Sequence, residues 1–78
     1  MDPNADACQV LDCKGMNCPM PIVRLSQAMR ALESGTKLVI EADDPAFRAD
    51  LEAWVRRFGH TLLAFDEGTI SRATVLKK

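Results

Sequence analysis

Two prolines stand one residue apart in Cys18-Pro19-Met20-Pro21, directly before an amphipathic run from Ile22 to Glu33. Proline is tolerated in the first turn of a helix, where amide protons lack intrahelical partners, and poorly tolerated further in. The chain is therefore held to a helix that starts here. A residue before proline avoids the α region, which argues for Met20 as the cap and Pro21 as the first helical residue. A start at Pro19 would make Cys18 the cap. In either register the Cys18 sulfur lies near the positive end of the helix dipole. That setting favours thiolate over thiol, and thiolate is the nucleophile. The prolines also remove two amide donors from the helix mouth and stiffen the turn that presents the sulfur. A free cysteine before a helix is often buried and inert; the double proline favours a sulfur held up for reaction.

The rest of the chain falls into short elements around this start. Cys8-Gln9-Val10-Leu11-Asp12 reads as a strand, and Lys14-Gly15-Met16-Asn17 as the loop that carries it to Cys18, with Gly15 free to turn where other residues resist. Ile22, Leu25, Ala28, Met29 and Leu32 make one helix face. Arg24, Gln27, Arg30 and Glu33 make the other, and Gly35 reads as the C-terminal cap. Thr36 to Ala42 alternates as a half-buried strand. Asp43-Asp44-Pro45 announces a second helix, with Asp44 as cap and Pro45 in the first position. Phe47, Leu51, Trp54, Val55 and Phe58 follow at helical spacing as the strongest core signal, and Gly59 ends the helix. Thr61 to Phe65 and Thr69 to Leu76 read as strands joined through Asp66-Glu67-Gly68, a hairpin.

The expected order is thus β-α-β-α-β-β. Right-handed crossovers put both helices on one face of the sheet. The fold class is an α/β (α+β) two-layer sandwich with a four-stranded mixed sheet. The other sheet face is left open, with Val39, Leu63 and Phe65 as candidates for an exposed apolar stripe. Such a stripe would serve a partner or weak self-association.

At 78 residues the chain is one domain, expected over 7–78 with 1–6 as a flexible lead-in. It has three cysteines, an odd count and too few for a disulfide scaffold. Nothing in it is apolar for the length of a membrane span, and the start is polar and acidic, unlike a signal peptide. A reducing, cytoplasmic setting is expected. A net charge of −1 speaks against direct contact with nucleic acid, which calls for a basic excess.

Leu11-Asp12-Cys13-Lys14-Gly15-Met16-Asn17-Cys18-Pro19-Met20-Pro21 resembles the signature of the TusA/SirA-like sulfur-carrier family, roughly Leu-Asp-x-x-Gly-Leu-x-Cys-Pro-x-Pro. Ala42-Asp43-Asp44-Pro45-Ala46, Trp54 and Gly59-His60 resemble its later pattern. The resemblance implies the fold above, with the last strand antiparallel and inserted between the second and third. It implies a persulfide carrier, a sulfurtransferase-type protein with Cys18 as the sulfur-bearing residue and Pro19, Pro21 and Gly15 in support. The partners implied are a sulfur-donor protein such as a cysteine desulfurase and a downstream acceptor protein. The pathways implied are tRNA thiolation, sulfur oxidation or molybdenum-cofactor synthesis. No metal or organic cofactor is needed. Two departures stand out. Many members carry an acidic residue between the prolines where this chain has Met20, and a residue other than cysteine where it has Cys13.

Other residues have plainer explanations. Cys8, Cys13 and Cys18 do not match the close paired spacing of a zinc site, even with His60 added. Cys13 is the candidate second thiol, which would make the chain a thiol redox protein working through Cys13 and Cys18. A non-catalytic interaction or regulatory module would need neither. His60 reads as a local hydrogen-bond partner, and Asp44 as a cap. Arg24 and Arg30, on the outer face of the first helix, are the candidate docking residues for an acidic partner.

Overall fold

A computed structural model describes residues 9–78. Six elements follow in the expected order: β1 (Gln9–Asp12), α1 (Met20–Arg30), β2 (Lys37–Ala42), α2 (Phe47–Phe58), β3 (Thr61–Asp66) and β4 (Ser71–Leu76). The lead-in over 1–6 and Cys8 lie outside the described residues. The four strands form one sheet in the order β1-β2-β4-β3. β1 runs parallel to β2, and β4 is antiparallel to both β2 and β3. The fold is the two-layer sandwich read from the sequence, with β4 inserted as the resemblance implied. No helix among the described residues is long and apolar enough to cross a membrane.

The core lies between the helices and one sheet face. Leu25 and Met29 come from α1, Phe47, Leu51, Trp54 and Val55 from α2, Leu38, Ile40 and Ala42 from β2, and Ala73 and Val75 from β4. Alternation along β2 and β4 puts these strand residues on one face. Burying each large apolar side chain is worth about 1.5–3 kcal/mol, so the sandwich is fixed chiefly by this single layer.

Four local expectations are corrected. α1 ends at Arg30, before Gly35. Ala31 and Leu32 close it with amide bonds to the Ala28 and Met29 carbonyls, the tighter spacing common in a last turn. Gly35 instead sits in the following turn and bonds Lys77. Phe58, counted as core, is 51% exposed at the end of α2. Phe65 belongs to the helix-facing side, with its ring 5.9 Å from Phe47. The reason is a bulge. Leu62 pairs with Val75 and Ala64 with Thr74, so Leu63 is an extra residue. One extra residue reverses the alternation beyond it, which puts Leu62 and Phe65 on the same face. Leu63 is exposed.

The fourth correction is that the open sheet face carries only a short apolar patch. Val39 is buried between Val10 and Thr74 in the strand register. Next to it Glu41 pairs with Arg72 at 3.8 Å and with Lys14 at 3.3 Å. Charged residues thus interrupt the expected stripe.

Candidate functional site

Two helix starts meet at one end of the sandwich. β1 delivers the chain to α1, and β2 delivers it to α2; in α/β domains sites form at such strand ends. The loop between β1 and α1 is tied down in three places. The Lys14 amide donates to the Asp12 carboxylate at 3.0 Å. The Gly15 amide donates to both Asp43 oxygens, at 3.0 and 3.2 Å, across to the segment before α2. The Met16 amide donates to the Cys13 carbonyl. Gly15 has φ of 82°, a backbone that side chains other than glycine's resist.

Cys18 follows, exposed, one residue before the cap of α1. That cap is Pro19 and the first helical residue is Met20, one position earlier than a Met20 cap would give. The Cys18-Pro19 peptide is cis. From Pro19 to Val23, every amide of the α1 start is already used or absent. Pro19 and Pro21 have none. Met20 donates to the Asn17 carbonyl, and Ile22 and Val23 both donate to the Pro19 carbonyl. The helix start offers the sulfur no free N–H.

What the sulfur meets instead is acidic. The Cys18 thiol donates a hydrogen bond to Asp50 Oδ2 at 2.7 Å, from the first turn of α2. Asp44 completes the group: the sulfur and one oxygen from each carboxylate lie within 4.8 Å of one another. The consequence reverses the expectation from the helix dipole. The hydrogen bond to Asp50 is the largest cause pushing the Cys18 thiol up from its ordinary value, followed by desolvation and the charges of Asp50 and Asp44. A helix end offers roughly half an elementary positive charge. Here it is set against two carboxylates, one of them in contact.

Asp44 is not the cap of α2. The cap is Ala46, and no side chain bonds the helix start. Pro45 and Ala46 form a turn first, closed by the Phe47 amide on the Asp44 main-chain carbonyl at 3.0 Å. The Asp44 side chain is released from capping, and its Oδ2 is buried with no hydrogen-bond partner. Asp50 stands outside the residues that the sequence marks as candidates. Its signal was only a carboxylate one turn after a proline-marked helix start. Within this set of one thiol and two carboxylates, the thiol and Asp50 are joined by a hydrogen bond.

Cys13 directly follows β1 and is wholly buried in the core, where desolvation pushes its thiol up. The Arg24 charge opposes that shift. Met20 and Val23, in the first turn of α1, are both substantially exposed. Arg24 and Arg30 are exposed, Arg24 one turn into α1 and Arg30 at its last residue.

His60 is at the opposite end of α2. Its Nδ1 accepts the Lys78 amide at 3.0 Å, and its ring stacks near Trp54, 4.9 Å between centroids. Desolvation, then the charges of Lys77 and Lys78, hold it below the usual histidine range. There it lines a groove of about 230 Å³ with Ser26, Met29, Arg30, Trp54, Phe58 and Lys77.

The family model described as Sulfurtransferase TusA matches residues 9–77. The chain belongs to the TusA family. It is 49% identical over 70 residues to the "Putative sulfur carrier protein YrkI" of Bacillus subtilis strain 168, covering 88% of this chain and 93% of the relative. It is 48% identical over 64 residues to the "Putative sulfur carrier protein YrkF" of the same organism, covering 81% of this chain but 35% of that longer relative. A "Putative sulfur carrier protein" of Aquifex aeolicus strain VF5 is 33% identical over 70 residues, 90% of this chain and 36% of the relative. The crystal structure of a SirA-like protein from Desulfitobacterium hafniense superposes with a TM-score of 0.75 at 21% identity, covering 86% of this chain and 93% of that one. That likeness establishes the shared fold. With these relatives the chain is a TusA-like sulfur carrier, as the signature around Cys18 implied.

Proposed function

We propose that Cys18 is the residue that carries the sulfur. A donor protein such as a cysteine desulfurase presents a persulfide. The Cys18 sulfur, once deprotonated, attacks its outer sulfur atom. The donor's S–S bond breaks as a new bond forms at Cys18 Sγ. The donor departs as a thiolate and takes up the proton that Cys18 gave away, so no net oxidation occurs. A thiol on an acceptor protein repeats the exchange. Cytoplasmic relays toward tRNA thiolation, sulfur oxidation or molybdenum-cofactor synthesis all fit this chemistry.

The observation that carries the reading is exposure. Cys18 is exposed on a proline-stiffened turn, whereas Cys13 is sealed in the core. An internal disulfide between the two would require the core to open, which weighs against the redox alternative. Arg24 and the exposed side chains of Met20 and Val23 give the sulfur a mixed apolar and cationic rim for docking. Arg30, ten residues beyond the first residue of α1, is about 15 Å along the helix and would reach only a large partner.

The test is intact mass after incubation with a desulfurase, its cofactor and cysteine. The parent should gain one sulfur, about 32 Da. Cys18→Ser should fold and gain none, and Cys13→Ser should still load. Loading of Cys18→Ser at the parental level would remove the assignment.

A further inference from the structure

We infer that Asp50 is a restraining residue for Cys18: with Asp44 behind it, its carboxylate holds the free carrier's sulfur as a hydrogen-bonded thiol, and sulfur exchange begins only when that bond opens. The inference deepens the carrier reading above and rests on it for its biological meaning.

Three observations converge. The thiol donates to Asp50 Oδ2 at 2.7 Å, so the proton is engaged by the group that would gain most from keeping it. Asp44 adds a second carboxylate within 4.8 Å, with one oxygen buried and unpartnered. The amides of the α1 start, which would otherwise stabilise a thiolate, are spent on Asn17 and Pro19 or replaced by proline. A like charge disfavours ionisation of its neighbour, and a hydrogen bond accepted from the neutral form does the same.

The two charges that act on the Cys18 thiol are both acidic. Asp50 faces it from α2 and Asp44 from the turn before α2. Asp43, beside Asp44, is occupied by the Gly15 amide. Arg24 of α1 exerts its charge on Cys13, and Lys14 of the preceding loop is paired with Asp12 and Glu41. A thiol held in this way reacts slowly with stray electrophiles and oxidants, because thiolate is the reactive form. A bound donor that draws Asp50 away, or displaces the thiol from it, frees the sulfur at the point of transfer.

The test is the rate of Cys18 alkylation by iodoacetamide against pH, followed by peptide mass in the parent, Asp50→Asn and Asp50→Glu. Asp50→Asn should react severalfold faster at neutral pH, with the midpoint of its profile displaced to lower pH and rates converging with the parent's at high pH. Asp50→Glu should return the midpoint toward the parent's. A purely structural loosening would raise the rate by one factor at every pH and leave the midpoint in place; that result overturns the inference, as does an unchanged or higher midpoint. Asp44→Asn provides a second reading should Asp50→Asn unfold: it should displace the midpoint the same way by less, and no displacement would overturn the role of the pair. The assay uses no sulfur donor. A parent that fails to load sulfur yet shows the displacement would therefore defeat the carrier reading and leave the restraint standing. A parent that loads normally with no displacement would do the reverse.

Discussion

The starts of α1 and α2 are built from similar parts and do different things. Each follows a parallel strand, each has proline within its first turn or just before it, and neither is capped by a side chain. At α1 the prolines consume the amides that a helix start would offer an anion. At α2 the turn over Pro45 and Ala46 consumes the main chain of Asp44 and leaves its carboxylate free. Taken alone, the first start should lower the Cys18 thiol and the second should merely cap a helix. Packed side by side they form one acid–thiol cluster, and the sign of the effect on Cys18 is inverted. A helix N-terminus favours an anion only through the donors it has left and the charges it is set against.

The comparison breaks most severely if α2 loses its anchor. Phe47 opens that helix, is fully buried and stacks on Phe65. Phe47→Ala should cost about 3–5 kcal/mol, as large aromatic truncations in cores do. Phe58→Ala, at the exposed end of the same helix, should stay within about 1 kcal/mol. Urea unfolding of the two variants measures the contrast. Equal losses would mean that α2 is not anchored at its acidic end.

A smaller effect tests the tie between the two starts. Asp43→Ala removes the acceptor of the Gly15 amide and should cost about 1 kcal/mol by urea unfolding, an ordinary hydrogen-bond increment. Its sharper consequence is positional. With the loop slackened, the Cys18–Asp50 bond should be made less often, and Cys18 alkylation at neutral pH should rise modestly. An unaltered rate would show that the loop holds Cys18 without Asp43.

Most of the fold was legible because it rests on local periodicity. Leu38, Ile40 and Ala42 alternate, and Phe47, Leu51, Trp54 and Val55 recur at helical spacing, so element types and order followed directly. The bulge at Leu63 was not legible, because one inserted residue changes which face Phe65 takes without altering composition. Phe58 followed the helical stripe, yet it lies in the last turn, where the sandwich no longer covers it. The exposed place of Cys18 at the start of α1 was legible from the two prolines beside it. Asp50 was not, since it stands 32 residues away and meets the sulfur only when the helix starts pack together. Asp44 reads as a cap because its sequence context is that of a cap; the extra turn before α2 is a backbone choice that the context does not announce.

The most direct measurement is the pH dependence of Cys18 alkylation in the folded parent against the same chain unfolded in denaturant, with the labelled peptide identified by mass. In the unfolded chain Asp50 and Asp44 are dispersed, and the thiol titrates as an ordinary cysteine. The acid–thiol cluster predicts a folded midpoint at higher pH than the unfolded one, with slower labelling of the folded protein at neutral pH. A folded midpoint below the unfolded one would show that the helix start governs the sulfur after all, and would contradict the account at its centre.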